Sequence, residues 1–180
     1  MKVILPKTLH EIDWSYGPLF FFAGPIKGGG DWQRRACAEV EKRLTDYYAT
    51  IPCRYGDDDS LRKYAASGRG DYFSSQTFWE RHYLELAATC RGCIVFWLPC
   101  ESKTDPRSDG QPYARDTYGE IGEWRGALKF NPNLKVVIGA EQGFPGLEVM
   151  KKNFVGALKQ DFPFYNTLEE TIQAAVAMAK

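Results

Sequence analysis

The run Cys-Ile-Val-Phe-Trp-Leu at residues 93–98 is the clearest buried strand of the chain. All six residues are apolar, and Pro99 follows them directly, which ends the element. A strand that is apolar at every position, rather than at alternate ones, is typical of a sheet covered on both faces. The stretch therefore indicates a parallel sheet with a helical layer on each side.

Shorter apolar runs and amphipathic segments alternate on both sides of this strand. Further strands are predicted at residues 19–22, 51–54, 136–138 and 162–165. Helices are predicted to begin at Trp32 and to cover residues 76–90, 117–128, 147–154 and 168–179. Alternating strands and helices in a chain of 180 residues predict one α/β domain, residues 1–180, with about five parallel strands.

The ligand site of such a sheet lies at the carboxyl ends of the strands, near the point where the strand order reverses. The loops at those ends are also the richest in glycine and polar residues: 24–31, 53–74, 99–116 and 139–146. The fold and the composition of the loops thus point to the same edge of the sheet.

The composition favours a small polar ligand over a macromolecular surface. Lys and Arg together number 23, as do Asp and Glu, so the formal net charge is zero. A neutral chain has no electrostatic attraction to duplex nucleic acid or to an anionic membrane. No secretory signal and no membrane-spanning run is visible, and the five cysteines lack a disulfide framework. We therefore expect a cytoplasmic protein.

The pair Cys90-x-x-Cys93, with Cys100 nearby, has a structural and a metal or redox interpretation. A redox CxxC follows a strand and opens a helix, whereas this one closes a helix and precedes a strand. Zinc would need a fourth ligand, for which His82 is the nearest candidate. The pattern favours buried structural cysteines, and we expect no metal and no cofactor.

The loop after the first apolar run reads Ala23-Gly24-Pro25-Ile26 and continues into Gly28-Gly29-Gly30. It is neither a dinucleotide fingerprint nor a P-loop. It is either a plain strand-to-helix turn or a turn that contacts a sugar or phosphate. Its place at the carboxyl end of a strand favours ligand contact, through Gly24, Pro25 and Ile26. Asp31, which can cap the next helix, is a further binding candidate. Candidates for stacking on a base are Trp32, Trp97 and Tyr118.

Gln76, Glu80 and Tyr83 share one face of a helix because they are spaced by four and three residues. A carboxylate among aromatic side chains is partly desolvated, which raises its pKa and suits proton transfer. The alternative is a solvated glutamate beside core aromatics. His82 lies on another face and is expected to be structural.

Thr117-Tyr118-Gly119-Glu120 allows two interpretations. Thr117 and Glu120 have the spacing of a capping box at a helix start. The same glutamate, in the first turn of a helix, would be kept ionised by the helix dipole and could attack an anomeric carbon. Gly119 and Gly122 beside it would leave room for a sugar. The residues alone leave both interpretations open.

Three stretches in this order resemble the nucleoside 2-deoxyribosyltransferases: Phe22-Ala23-Gly24-Pro25-Ile26, Gln76-Thr77-Phe78-Trp79-Glu80, and Glu120-Ile121-Gly122. The resemblance covers roughly residues 19–155. The loop Gly143-Phe144-Pro145-Gly146 is similar to that of a more divergent branch of the family.

The resemblance implies a flavodoxin-like (Rossmann-like) domain that performs a double displacement at the anomeric carbon of deoxyribose. Glu120 stands at the position of the nucleophile, and Glu80 at that of the carboxylate that protonates the leaving base or orients the sugar. Asp116 is the nearest match to an aspartate that holds sugar hydroxyls, although its spacing differs, and loop 101–116 is longer than expected. Family members are often homo-oligomers, and the aromatic-rich composition also favours self-association.

Two other functions stay open at this point. One is hydrolysis of a nucleoside 5′-monophosphate, which needs a cationic phosphate pocket; Lys27, Arg54 and Arg69 lie in suitable loops. The other is a non-catalytic nucleotide-binding module, which would have no use for two converging carboxylates.

Overall fold

The computed structural model describes residues 1–52, 61–70 and 72–179. The strands of this part of the chain are β1 (Lys2–Ile4), β2 (Leu19–Ala23), β3 (Tyr48–Thr50), β4 (Gly92–Leu98), β5 (Val136–Ala140) and β6 (Phe164–Tyr165). The helices are α1 (Trp32–Glu41), α2 (Gln76–Thr89), α3 (Arg115–Phe130), α4 (Leu147–Leu158) and α5 (Leu168–Met178), with a 3₁₀ turn at Arg62–Tyr64. None of these described helices is both long and apolar enough to cross a membrane.

The six strands form one parallel sheet in the order β1-β3-β2-β4-β5-β6. From β3 to β6 this is the order of a flavodoxin-like sheet, and β1 extends it beyond β3. The predicted α/β fold with a parallel sheet is therefore confirmed, with six strands rather than about five. The strand order reverses between β2 and β4, because β3 lies outside β2 and β5 lies outside β4.

Two hydrophobic clusters cover the two faces of the sheet. Phe20 and Phe22 of β2 pack with α1 and α5, whereas Leu19, Phe21 and Ala23 pack on the side of α2, α3 and α4. β4 divides its side chains in the same alternating way. Both central strands are apolar at every position because helices exclude water from both of their faces.

Two strands differ from the predicted ones. The predicted strand 51–54 is wrong in position: β3 covers Tyr48–Thr50, three fully buried residues that pair with β1 on one side and β2 on the other. Pro52 has no N–H for a sheet ladder, which accounts for the earlier end, and residues 53 and 54 lie outside the described residues. The three-residue β1 is too short to give an apolar pattern and was not predicted.

The helix starts were predicted with mixed success. Ser75 caps α2, because its Oγ accepts a hydrogen bond from the Phe78 backbone N–H at 3.2 Å. Asp31 precedes α1 as predicted, but its side chain makes no capping bond and pairs with Arg34 instead. α3 begins at Arg115, after Ala114 in the left-handed region with φ 56°, and thus earlier than the predicted start at Thr117.

The loop predicted over residues 53–74 is only partly described. Its residues 61–70 run along the outer edge of the sheet, where the Ala66 N–H donates to the Val3 carbonyl at 2.7 Å and Arg69 pairs with Leu9. Its residues 53–60, as well as Asp71, lie outside the described residues. The described part supports the edge strand β1.

Gly139 of β5 shows how closely α5 packs on the sheet. A Cβ at this position would overlap Thr171 of α5 and crowd the Trp97 ring. We expect Gly139→Ala to lower the free energy of unfolding by about 1–3 kcal/mol, because this part of the core has no space for an added methyl group. Thermal melts of the purified variant provide the measurement.

Gly126→Ala is the matched control. Gly126 lies within α3, where an added Cβ would meet nothing within 4 Å. The same change should stabilise the protein there by about 0.5–1 kcal/mol, because alanine favours a helix over glycine. Equal melting shifts in the two variants would contradict the packing described for α5.

Candidate functional site

A cleft of about 1240 Å³ opens at the carboxyl ends of β2 and β4, where the strand order reverses. The loop after β2, Pro52, the first turns of α2 and α3, and the loop before α3 form its walls. A smaller hollow of about 350 Å³ lies at the other end of β5 and has no carboxylate among its described lining residues. The larger cleft is therefore the candidate site.

The loop after β2 is shaped by Gly24 and held by Trp32. Gly24 has φ 148°, and a Cβ there would overlap the Trp97 carbonyl oxygen. The Trp32 indole Nε1 donates to the Pro25 carbonyl oxygen at 2.8 Å. Trp32 and Trp97 are 1% and 2% exposed, so the expectation that they stack on a base is corrected. Trp32 instead fixes the turn, which brings Gly24, Pro25 and Ile26 to the cleft.

Glu80 reaches the cleft from the second turn of α2. Its Oε1 accepts a hydrogen bond from Gln76 Nε2 at 2.7 Å, and the same nitrogen lies 3.2 Å from the Pro52 carbonyl oxygen. Burial raises the pKa of the Glu80 carboxyl; the Gln76 hydrogen bond opposes this rise and the charge of Asp116 adds to it. Gln76 and Glu80 thus lie together in the cleft, as their helical spacing predicted, whereas the binding role of Gln76 and the proton-transferring role of Glu80 stay predictions.

Glu120 enters the same cleft from the second turn of α3. Burial raises the pKa of its carboxyl to about 8, and the charges of Glu80, Asp116 and Glu123 contribute. Among the described residues, none donates a hydrogen bond to this carboxylate. The expectation that the helix dipole keeps Glu120 ionised is therefore wrong, because the residue lies beyond the first turn and among other carboxylates.

The capping-box interpretation of Thr117 and Glu120 does not hold. Both residues lie inside α3, the helix start is at Ala114, and no side chain caps it. Thr117 is buried, and together with Gly119 it lines the cleft beside Glu120. Glu120 therefore has no structural role at the helix start.

Asp116 stands at the rim of the cleft. Its side chain is exposed, and its Oδ1 lies 3.0 Å from Nε of Arg115. The Arg115 guanidinium also donates to Gln111 Oε1 at 2.6 Å, which ties the start of α3 to the preceding loop. Asp116 therefore borders the cleft from the side facing solvent, and its contact with sugar hydroxyls stays a prediction.

Three further candidates lie away from the walls that the described residues form. Asp31 is exposed and paired with Arg34. Tyr118 donates its hydroxyl hydrogen to the Pro145 carbonyl oxygen at 2.5 Å and packs on Phe144. Gly122 does not border the cleft, so the glycine that leaves room beside Glu120 is Gly119.

The proposed phosphate-binding cations are not brought together. Lys27 lines the cleft, Arg69 is exposed at the edge beyond β1, and Arg54 lies outside the described residues. Lys27 is moreover paired: its Nζ lies 2.5 Å from Oδ2 of Asp109. Among the described lining residues, five carboxylates outnumber three cations: Glu80, Asp105, Asp109, Asp116 and Glu120 against Lys27, Arg107 and Arg115.

Asp109 and Arg107 were not singled out in the sequence. Arg107 donates from Nε to Asp109 Oδ1 at 2.6 Å and from Nη2 to Oδ2 at 3.2 Å. Together with Lys27 they join the loop after β2 to the loop after β4. The sequence does show opposite charges in two loops at the same edge of the sheet. That pattern alone does not identify which residues pair.

Cys90, Cys93 and His82 are at least partly buried among neighbouring side chains. Cys93 is fully buried, which raises the pKa of its thiol, and Cys90 is half-buried. The His82 ring packs against Phe73 and Tyr83, and burial lowers its pKa. Within the described ranges, no three His, Cys, Asp or Glu side chains are grouped so that they could hold a metal ion.

No protein-family model matches this chain, and no curated protein matches it either. A function for this chain is therefore inferred from the geometry of the cleft and from the resemblance of the three motifs.

The protonation of Glu120 can be measured directly. With ¹³C-labelled glutamate, we expect one carboxyl resonance to titrate with a midpoint near pH 8 and to disappear in Glu120→Gln. Glu80→Gln should lower this midpoint, because it removes a negative charge that favours the protonated form of Glu120.

Glu123→Gln is the control for that shift. The charge of Glu123 also raises the pKa of Glu120, but the residue is exposed and paired with Arg81 at 3.0 Å. Its removal should move the midpoint less than Glu80→Gln does. A Glu120 midpoint in the ordinary glutamate range, near pH 4 to 5, would contradict the burial described here.

Proposed function

We propose that this protein cleaves or exchanges the N-glycosidic bond of a nucleoside, with Glu120 as the nucleophile and Glu80 as the proton-transferring partner. One observation carries the proposal: two partly buried carboxylates from different helices line one cleft, and burial, followed by the charge of Glu80, raises the pKa of Glu120. Paired carboxylates with perturbed pKa values are what glycosidic bond cleavage uses.

The reaction requires the two carboxyl groups in different protonation states, with Glu120 ionised and Glu80 protonated. Glu120, once ionised, forms a bond from a carboxylate oxygen to the anomeric carbon while the bond from that carbon to the base nitrogen breaks. The electron pair leaves with the base, and a proton from Glu80 neutralises it. In the substrate-free cleft the shared proton favours Glu120, so the reactive form, with Glu120 ionised and the proton on Glu80, has the same number of protons as the resting form. The rate should therefore fall as the pH rises through about 8, where the pair loses its last proton.

The glycosyl-enzyme then reacts with a second base, giving transfer, or with water, giving hydrolysis. In both cases the bond from the anomeric carbon to Glu120 breaks and the carboxylate is regenerated. The partition depends on how well the occupied cleft excludes water.

An uncharged nucleoside fits the described cleft better than a nucleoside 5′-monophosphate. Lys27 and Arg107 share Asp109, and Arg115 pairs with Asp116, so each cation that lines the cleft already has a carboxylate partner. The excess of carboxylates would repel a phosphate. A purely binding module gains nothing from two partly buried carboxylates, since burying charge costs stability.

The proposal includes self-association. Phe130 at the end of α3 and Phe78 on α2 are 86% and 60% exposed, which is unusual for side chains of this size. Apolar aromatic side chains at the surface are typical of subunit contacts. We expect light scattering at micromolar concentration to give a mass above one chain, and a strict monomer would refute this part.

The catalytic proposal is tested by Glu120→Gln. Incubation with deoxynucleosides, with and without a second free base, should give base release or exchange in the unchanged protein. In Glu120→Gln the rate should fall by about three powers of ten or more, because the nucleophile is lost. Mass spectrometry should find the glycosyl adduct on Glu120 of the active protein. An adduct on Glu80 would reverse the two roles.

Melting of the same preparations separates loss of chemistry from loss of fold. The folded-state pKa of Glu120, about 8, lies above its ordinary value of 4.5, so ionisation costs folding stability as the pH rises from about 4.5 through 8. Glu120→Gln removes this cost, and should melt above the unchanged protein at pH 8 but close to it at pH 5. Glu123→Gln should keep most of the activity. An inactive Glu120→Gln that melts far lower at both pH values would leave the catalytic assignment without support.

A further inference from the structure

The loop before α3 and the loop after β2 are joined across the cleft by one carboxylate. Asp109 accepts from Lys27 of the β2 loop and from two nitrogens of Arg107 in its own loop. The Ser102 N–H also donates to the Gly28 carbonyl oxygen at 2.7 Å, so the loops are in backbone contact as well. The two loops therefore form one continuous wall.

The surroundings of Asp109 are those of a bound anion. An ammonium group and a guanidinium group converge on its two oxygens, and the Gln111 backbone N–H donates to Oδ1 at 3.2 Å. The hydrogen bonds from Arg107 and then from Lys27 hold the pKa of this carboxyl well below its usual range. Lysine, arginine and backbone N–H groups are also the groups that bind phosphate.

Arg107 is built into this arrangement rather than lying on the surface. Its side chain is only 10% exposed, its Nη1 donates to the Pro112 carbonyl oxygen at 3.1 Å, and its own backbone N–H donates to Glu101 Oε1 at 2.9 Å. A guanidinium held from several sides keeps its position when one partner is removed. Arg107 would thus stay beside the cleft without Asp109, whereas the Lys27 ammonium would lose its described partner and could bind another anion.

We propose that Asp109 occupies an anion site formed by Lys27 and Arg107, and that it thereby selects uncharged nucleosides against their 5′-monophosphates. The selection rests on the proposed function, whereas the occupied anion site rests on the contacts alone. Loss of the carboxylate removes the counter-charge that Lys27 and Arg107 share, so that this wall of the cleft can bind phosphate instead.

The test is binding of inorganic phosphate at low ionic strength, measured by calorimetry on the full chain. The unchanged protein should bind phosphate weakly or not at all, and Asp109→Asn should gain about tenfold or more in affinity, a change of at least 1.4 kcal/mol. Asp109→Ala, which also removes the bulk of the carboxylate, is the second variant and should gain at least as much. Melting curves show whether each variant is folded.

Asp105→Asn is the matched control, because Asp105 lines the cleft from the same loop but pairs with no cation among the described residues. It should gain no phosphate affinity. Lys27→Met combined with Asp109→Asn should lose the gain. Phosphate binding by the unchanged protein as tight as by Asp109→Asn, an equal gain in Asp105→Asn, or folded Asp109 variants without a gain would each overturn the proposal.

Enzyme kinetics test the selection of nucleosides over their 5′-monophosphates separately from the anion site. The ratio of kcat/KM for a deoxynucleoside to that for its 5′-monophosphate should fall about tenfold in Asp109→Asn. An unchanged ratio despite gained phosphate binding would overturn the selection. If neither substrate reacts with any variant while phosphate binding still appears in Asp109→Asn, the proposed function fails and the anion site stands.

Discussion

The side-by-side pairing of β2 and β4 determines where everything else in the site can lie. The two strands are paired from Leu19 opposite Gly92 to Ala23 opposite Phe96, so their carboxyl ends emerge together. The next strand after β2 lies on one side and the next after β4 lies on the other. Their loops must diverge, and a cleft opens between them. The loop at Gly24 and the helix with Glu120 face each other across this cleft because of that reversal.

The two carboxyl groups inside the cleft have raised pKa values because they are partly buried next to other carboxylates. Water is partly excluded from Glu80 and Glu120, and each pKa is raised first by that exclusion and then by neighbouring carboxylates. At the rim, Asp109 and Asp116 are instead paired with cations and exposed to solvent. A carboxylate thus serves as a titrating group inside the cleft and as the partner of a cation at its edge, and depth and partners decide between the two.

The fold could be predicted from the sequence because its central strands are long apolar runs. The short strands and the surroundings of individual side chains could not be predicted. β2, β4 and β5 are buried on both faces and show it in their residues, but β1 and β3 are three residues long. The approach of Gln76 and Glu80 to the cleft follows from helical spacing. The burial of Trp32 and the protonation of Glu120 depend on what packs around them, which spacing does not encode. The pairing of Asp109 depends on two loops separated by about eighty residues.

α3 carries three glycines, Gly119, Gly122 and Gly126, and a Cβ at any of them would meet nothing within 4 Å. Each lowers the intrinsic stability of the helix by about 1 kcal/mol relative to alanine, and no packing within the described residues requires them. The helix that holds Glu120 is therefore held mainly by its buried side chains, such as Ile121 and Leu128. Its backbone should open locally at a lower free energy than the central strands, and its amide hydrogens should exchange with solvent sooner. The helix that holds the candidate nucleophile therefore has a lower intrinsic stability than an alanine-containing helix of the same length, and glycine-to-alanine changes in α3 should reduce local opening around Glu120.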